Sequence, residues 1–80
     1  MTDCAHLADR VLAALSRRLA DLPRAEIASA SLRDWGAIIL VPSLQTGIDM
    51  ANAIAPEHME VLTRDPWSIM PRVRHAGALF

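Results

Sequence analysis

Ala37-Ile38-Ile39-Leu40-Val41-Pro42-Ser43 is the stretch that decides the fold. Five apolar residues follow one another without alternation, which is the pattern of a strand covered on both faces, as in parallel α/β sheets. Pro42 breaks the run, because it lacks the N–H that a continuing strand would need. Ser43 is then placed to cap a helix from about Leu44 to Ile54, and Gly36 on the other side stops the helix that precedes the run. A strand held between two helices within so short a span predicts an α/β chain.

Toward the N-terminus, Leu7, Val11, Leu15, Leu19 and Leu22 recur at spacings of four, four, four and three. Ala8 and Leu12 widen this stripe, so an amphipathic helix is expected, capped by Thr2 or Asp3 and ended by Pro23. Arg17 and Arg18 fall in its C-terminal half, where cations complement the helix dipole and a solvated face explains them. Pro23 also suits the first turn of a second helix running to about Asp34, with Asp21 or Leu22 as its cap. Ile27, Ala28, Ala30 and Ser31 give that helix a small-residue surface suited to close packing.

Toward the C-terminus, Leu44, Ile48, Ala51 and Ala55 share one face at helical spacing. Pro56 makes Ala55 the expected helix end. Glu57 and His58 then lie on a connection, and Met59-Glu60-Val61-Leu62-Thr63 reads as a second strand whose alternation is too weak to say which face is wet. Asp65-Pro66 is a helix start, with Asp65 as cap. The helix is expected to reach about His75, to bury Trp67, Met70 and Val73, and to end at Gly77. Pro71 inside it should cause a kink or split the helix into two short turns. Ala78-Leu79-Phe80 begins a third strand as the sequence ends, which suggests truncation. The expected fold is α/β: two N-terminal helices followed by a three-stranded, mostly parallel β-α-β-α-β unit, an incomplete Rossmann-like fragment forming a single partial domain over residues 1–80.

Composition narrows the classes of function. A chain of 80 residues buries only about 60% of its unfolded surface, so a staple or a partner matters to its stability. Its apolar fraction of 52% excludes wholesale disorder. A net charge of −1 gives no electrostatic case for nucleic acid or an anionic membrane. No apolar run approaches the roughly 20 residues of a membrane helix. Met1-Thr2-Asp3-Cys4 lacks the order of a signal peptide, and the lone Cys4 suits a reducing, cytoplasmic setting. Cys4 and His6 are too few to form a metal site. There is no Gly-rich phosphate loop and no internal repeat.

The candidate chemistry sits at Ala55-Pro56-Glu57-His58-Met59-Glu60. A carboxylate beside an imidazole on a connection is the minimum for general acid–base work, although the same pair also occurs on solvated loops. This stretch resembles the Ala-Pro-Glu-His-Leu-Glu segment of histidinol dehydrogenases, with Met59 in place of Leu. The resemblance extends upstream to Trp35–Val41, Ser31-Leu32 and Leu22-Pro23-Arg24, and downstream to Arg72–Phe80, where Ala76-Gly77-Ala78-Leu79-Phe80 is similar to the family's Ala-Gly-Ala-Phe.

That resemblance implies oxidation of L-histidinol to L-histidine in two steps, each reducing one NAD, with a zinc ion holding the substrate. It makes His58 the base that takes the hydroxyl proton and Glu57 the base that activates water against the aldehyde intermediate. It also implies that the zinc ligands, the cofactor site and most substrate contacts lie outside this segment. No metal or cofactor is therefore expected to bind these residues alone, and negligible histidinol oxidation is expected of them unaided. Two classes of function stay open: a piece of the enzyme completed by another polypeptide, or a non-catalytic binding or dimerisation module using the first helix and an exposed sheet edge.

Overall fold

A computed structural model describes all residues from Met1 to Phe80, which fall into two compact units, Met1–Pro42 and Ser43–Phe80. In the first unit, helix α1 spans Ala5–Leu19 and helix α2 spans Ala25–Trp35, and the two pack against each other. Cys4 holds the cap position of α1 without a side-chain bond, while the Thr2 hydroxyl accepts from the Cys4 N–H at 3.2 Å. Arg17 and Arg18 occupy the last turn of α1, where their charge complements the exposed carbonyls. α1 stops four residues before Pro23, and α2 starts after it, so Pro23 lies in the connection rather than in the first turn of a helix. Arg24, not Asp21 or Leu22, is the cap of α2. Of the expected small-residue surface on α2, Ala28 and Ala30 are half-buried, whereas Ile27 and Ser31 stay exposed. Gly36 ends α2, its N–H donating to the Leu32 carbonyl at 2.9 Å.

The run Ala37–Val41 does not form the expected strand covered on both faces. It makes one isolated parallel bridge, Thr2 with Leu40, through Thr2 N–H to the Ile39 carbonyl at 3.0 Å and Val41 N–H to the Thr2 carbonyl at 2.9 Å. A ladder needs partner residues at every second position. The segment offered by the N-terminus enters α1 at Ala5, so it supplies Thr2 alone. Val41 is buried and Ile39 half-buried, while Ile38 and Leu40 face solvent. The run thus alternates, and its uninterrupted hydrophobicity concealed this.

In the second unit, helix α3 spans Leu44–Ile54 within the expected bounds. Its cap works as the sequence suggests: the Ser43 hydroxyl accepts from the Thr46 N–H at 3.2 Å. Ile48 and Ala51 on its inner face are buried. Strand β1 is His58–Met59 and strand β2 is Ala78–Leu79. They pair in parallel, His58 opposite Ala78 and Met59 opposite Leu79. The sheet is two-stranded, not three-stranded. Between the strands lie two 3-10 turns, Pro66–Ser68 and Met70–Arg72, in place of one helix. Pro71 accounts for this outcome, since it has no N–H to give an α-helical bond and its ring collides with the preceding turn. Asp65 still caps the first turn, accepting from the Ser68 N–H at 3.3 Å. The residue buried here is Ile69, while Trp67 remains 74% exposed and Met70 is also exposed; only Val73 of the expected inner set is half-buried. No helix is long and apolar enough to cross a membrane.

Candidate active site

The candidate residues Glu57 and His58 lie within the second unit, where α3 gives way to β1. α3 ends at Ala55 in the left-handed conformation, φ 52° and ψ 59°. Ala55 is the expected helix end, and the left-handed conformation it takes there is one that a residue before proline seldom adopts. Such a helix end reverses the chain direction sharply, and Pro56 then commits the backbone to leave the helix. Glu57 follows in a bend and His58 opens β1.

From His58 to Thr63 exposure alternates: His58, Glu60 and Leu62 face solvent, while Met59, Val61 and Thr63 are half-buried. The wet face, which the sequence left open, is therefore the face of His58. Glu57 and His58 are both exposed, and neither side chain enters a hydrogen bond or ion pair within the chain. The carboxylate and imidazole are therefore not a hydrogen-bonded pair.

The backbone around them is tightly held. Ala78 N–H donates to the Glu57 carbonyl at 2.7 Å, Gly77 N–H to the Pro56 carbonyl at 3.0 Å, and Phe80 N–H to the Met59 carbonyl at 2.9 Å. Val61 N–H donates to the Phe80 carbonyl at 2.8 Å. Gly77 is not a helix terminator, because no helix precedes it. A Cβ there would meet the Glu57 carbonyl oxygen at 2.6 Å, so this position needs glycine for the backbones to approach.

Three further residues shape the site. Asn52, in the last turn of α3, donates through Nδ2 to the Arg72 carbonyl at 2.9 Å. Its Oδ1 accepts from the N–H of Arg74 at 2.7 Å and of His75 at 3.2 Å. One amide thus clamps the segment that leads into β2. Its partners lie twenty to twenty-three residues away and carry no local signal. Phe80, expected as part of a third strand, stacks on the His58 ring with centroids 6.3 Å apart and planes inclined by 24°. His75, expected near a helix C-terminus, instead lines a shallow hollow of about 420 Å³ with Gln45, Asp49, Asn52, Arg72 and Arg74. Arg72 Nη1 donates there to Gln45 Oε1 at 3.0 Å, and Gln45 Nε2 donates to Asp49 Oδ1 at 2.9 Å.

Zinc takes four protein ligands in a structural site and three in a catalytic one. No three His, Cys, Asp or Glu side chains gather in this chain, so its residues alone do not fit a zinc centre.

Comparison with known proteins gives these residues a context. The family profile for histidinol dehydrogenase matches residues 1–80. A histidinol dehydrogenase of Nitratidesulfovibrio vulgaris is 54% identical over 74 residues, 92% of this chain and 17% of that protein. One of Rhizobium meliloti is 51% identical over 80 residues, the whole of this chain and 18% of its own length. One of Bradyrhizobium diazoefficiens is 50% identical over 80 residues, again the whole of this chain and 19% of its own. The chain thus spans under a fifth of the length of these relatives, and on the match along all of its residues it belongs to the histidinol dehydrogenase family.

Proposed function

We propose that the chain contributes the acid–base element of a histidinol dehydrogenase, the enzyme that oxidises L-histidinol to L-histidine in two steps with two NAD reduced. The observation that supports this most is the placement of Glu57 and His58. The left-handed end of α3 and the parallel ladder hold their backbone from both sides, while both side chains stay open to solvent. His58 takes the hydroxyl proton of the alcohol; the nicotinamide, bound by the rest of the enzyme, would accept the hydride. Glu57 draws a proton from water as that water adds to the aldehyde, and the second oxidation gives the carboxylate. Two exposed groups that are not bonded to each other suit two separate proton transfers.

In this reading the 80 residues are a single partial domain. Zinc, which in the family holds the substrate, and NAD are bound by residues outside them, and the chain is inactive unaided. Positioning of reactants carries much of the catalytic barrier, and these residues include no clamp for substrate. The expected partner is a complementing polypeptide that supplies the rest of the enzyme, in a cytoplasmic setting.

The test is to graft residues 1–80 in place of the matching segment of the Rhizobium meliloti relative and follow histidinol-dependent NADH formation. Turnover is expected with the native graft and loss of nearly all of it with His58→Gln. Full turnover with His58→Gln sinks the assignment. A second reading, a non-catalytic binding module, is favoured by Leu7, Val11 and Leu12 lying exposed along α1. A graft that folds but never turns over, whatever stands at position 58, supports it.

A further inference from the structure

The His58 imidazole makes no hydrogen bond within the chain, and its one recorded ring contact is Phe80. A side chain on an exposed strand face ordinarily samples three χ1 wells, and a histidine ring also two broad χ2 orientations. Phe80 is well placed to restrict that freedom. Its N–H and carbonyl are both engaged in the ladder, at 2.9 Å to Met59 and 2.8 Å from Val61, so its ring stands on a fixed base. The centroid separation of 6.3 Å and inclination of 24° fall within the about 4.5–7 Å range in which aromatic pairs attract. Register brings the two together: His58 pairs with Ala78, and Phe80 lies two residues farther along the chain, just past β2.

We propose that Phe80 is a positioning residue that holds the His58 imidazole in one orientation by stacking on it. This rests on the reading of His58 as the proton-accepting base. The backbone bonds of the ladder set where the His58 Cα lies, and Phe80 sets where its ring nitrogens point. Leucine at position 80 would keep the apolar bulk and the backbone bonds but lose the aromatic face; tyrosine would keep the face.

The test uses the full 80-residue chain labelled with 13C and 15N at histidine, observed by NMR as wild type, Phe80→Leu and Phe80→Tyr. In the wild type the His58 ring protons are expected shifted from those of His6 and His75, because they lie in the ring-current field of Phe80. Phe80→Leu should move them to the positions of the other two histidines and average the His58 χ1 couplings, with the Val61 and Ala78 amide shifts kept. Phe80→Tyr should restore the wild-type pattern. In the grafted enzyme Phe80→Leu should lower kcat about three- to sixfold, the number of orientations released, with KM unchanged.

His58 resonances untouched by Phe80→Leu, or lost equally with Phe80→Tyr, overturn the proposal. So does a full kcat with Phe80→Leu in a graft that His58→Gln inactivates. If His58→Gln leaves turnover intact, the catalytic reading fails, and with it any role for Phe80 in catalysis. The stacking itself would still be judged by the NMR arm.

Discussion

Replacing Asn52 with alanine should loosen the segment that carries β2 to β1. Three hydrogen bonds vanish with the amide: 2.9 Å to the Arg72 carbonyl, 2.7 Å from the Arg74 N–H and 3.2 Å from the His75 N–H. Each bond of this kind contributes about 0.5–1.5 kcal/mol net. Arg72, Arg74 and His75 are exposed, so water can take the place of the lost partner and the lower end of the range applies. The expected loss is about 1.5–2 kcal/mol for the second unit. Local opening free energy is read directly by amide hydrogen exchange. The Arg74 and His75 amides should exchange about tenfold faster or more in Asn52→Ala, since ~1.4 kcal/mol is a factor of ten. Asn52→Asp keeps the acceptor for both N–H groups and loses only the donor to Arg72, so it should retain most of the protection. Unchanged exchange at Arg74 in Asn52→Ala, or equal loss in Asn52→Asp, would refute the clamp.

Other substitutions probe the same scaffold. Gly77→Ala should separate the strands, because a Cβ 2.6 Å from the Glu57 carbonyl oxygen forces a backbone shift; loss of the Ala78 amide's protection measures it, and retained protection contradicts it. Ser43→Ala removes the cap bond to Thr46 and should cost about 1 kcal/mol, seen as a lower urea midpoint at unchanged slope. Ala55→Gly should stabilise by about 0.5–1 kcal/mol, since glycine avoids the left-handed penalty while losing more backbone entropy; an unchanged or lower midpoint would count against strain at that position.

What the sequence made legible was local. Ser43 and Pro56 mark the ends of α3, and Asp65-Pro66 and Pro71 account for a helix start that becomes two 3-10 turns. Those signals act within a turn of the residue that gives them. The Ala37–Val41 run misled because hydrophobicity says that a segment can be buried, not which partners lie beside it, and only Thr2 bridges to it. Trp67 and Met70 fell outward and Ile69 inward because the expected single helix is replaced by two separate 3-10 turns, so no one helical face runs from Trp67 to Val73. Of the candidate site, the sequence singled out Glu57 and His58 as candidates through the Ala-Pro-Glu-His motif. The clamp by Asn52 and the ring of Phe80 were not legible, because both depend on a β1–β2 register that is set across about twenty residues of intervening chain.

The most direct measurement is NADH formation from L-histidinol by the Rhizobium meliloti relative carrying residues 1–80 as its own segment, compared with the same graft bearing Glu57→Gln or His58→Gln. The account predicts turnover in the native graft and severe loss in both variants. His58→Gln should block oxidation of the alcohol, and Glu57→Gln should slow the steps after the aldehyde, where water must be activated. Turnover undiminished by either substitution would contradict the assignment of acid–base chemistry to these two residues.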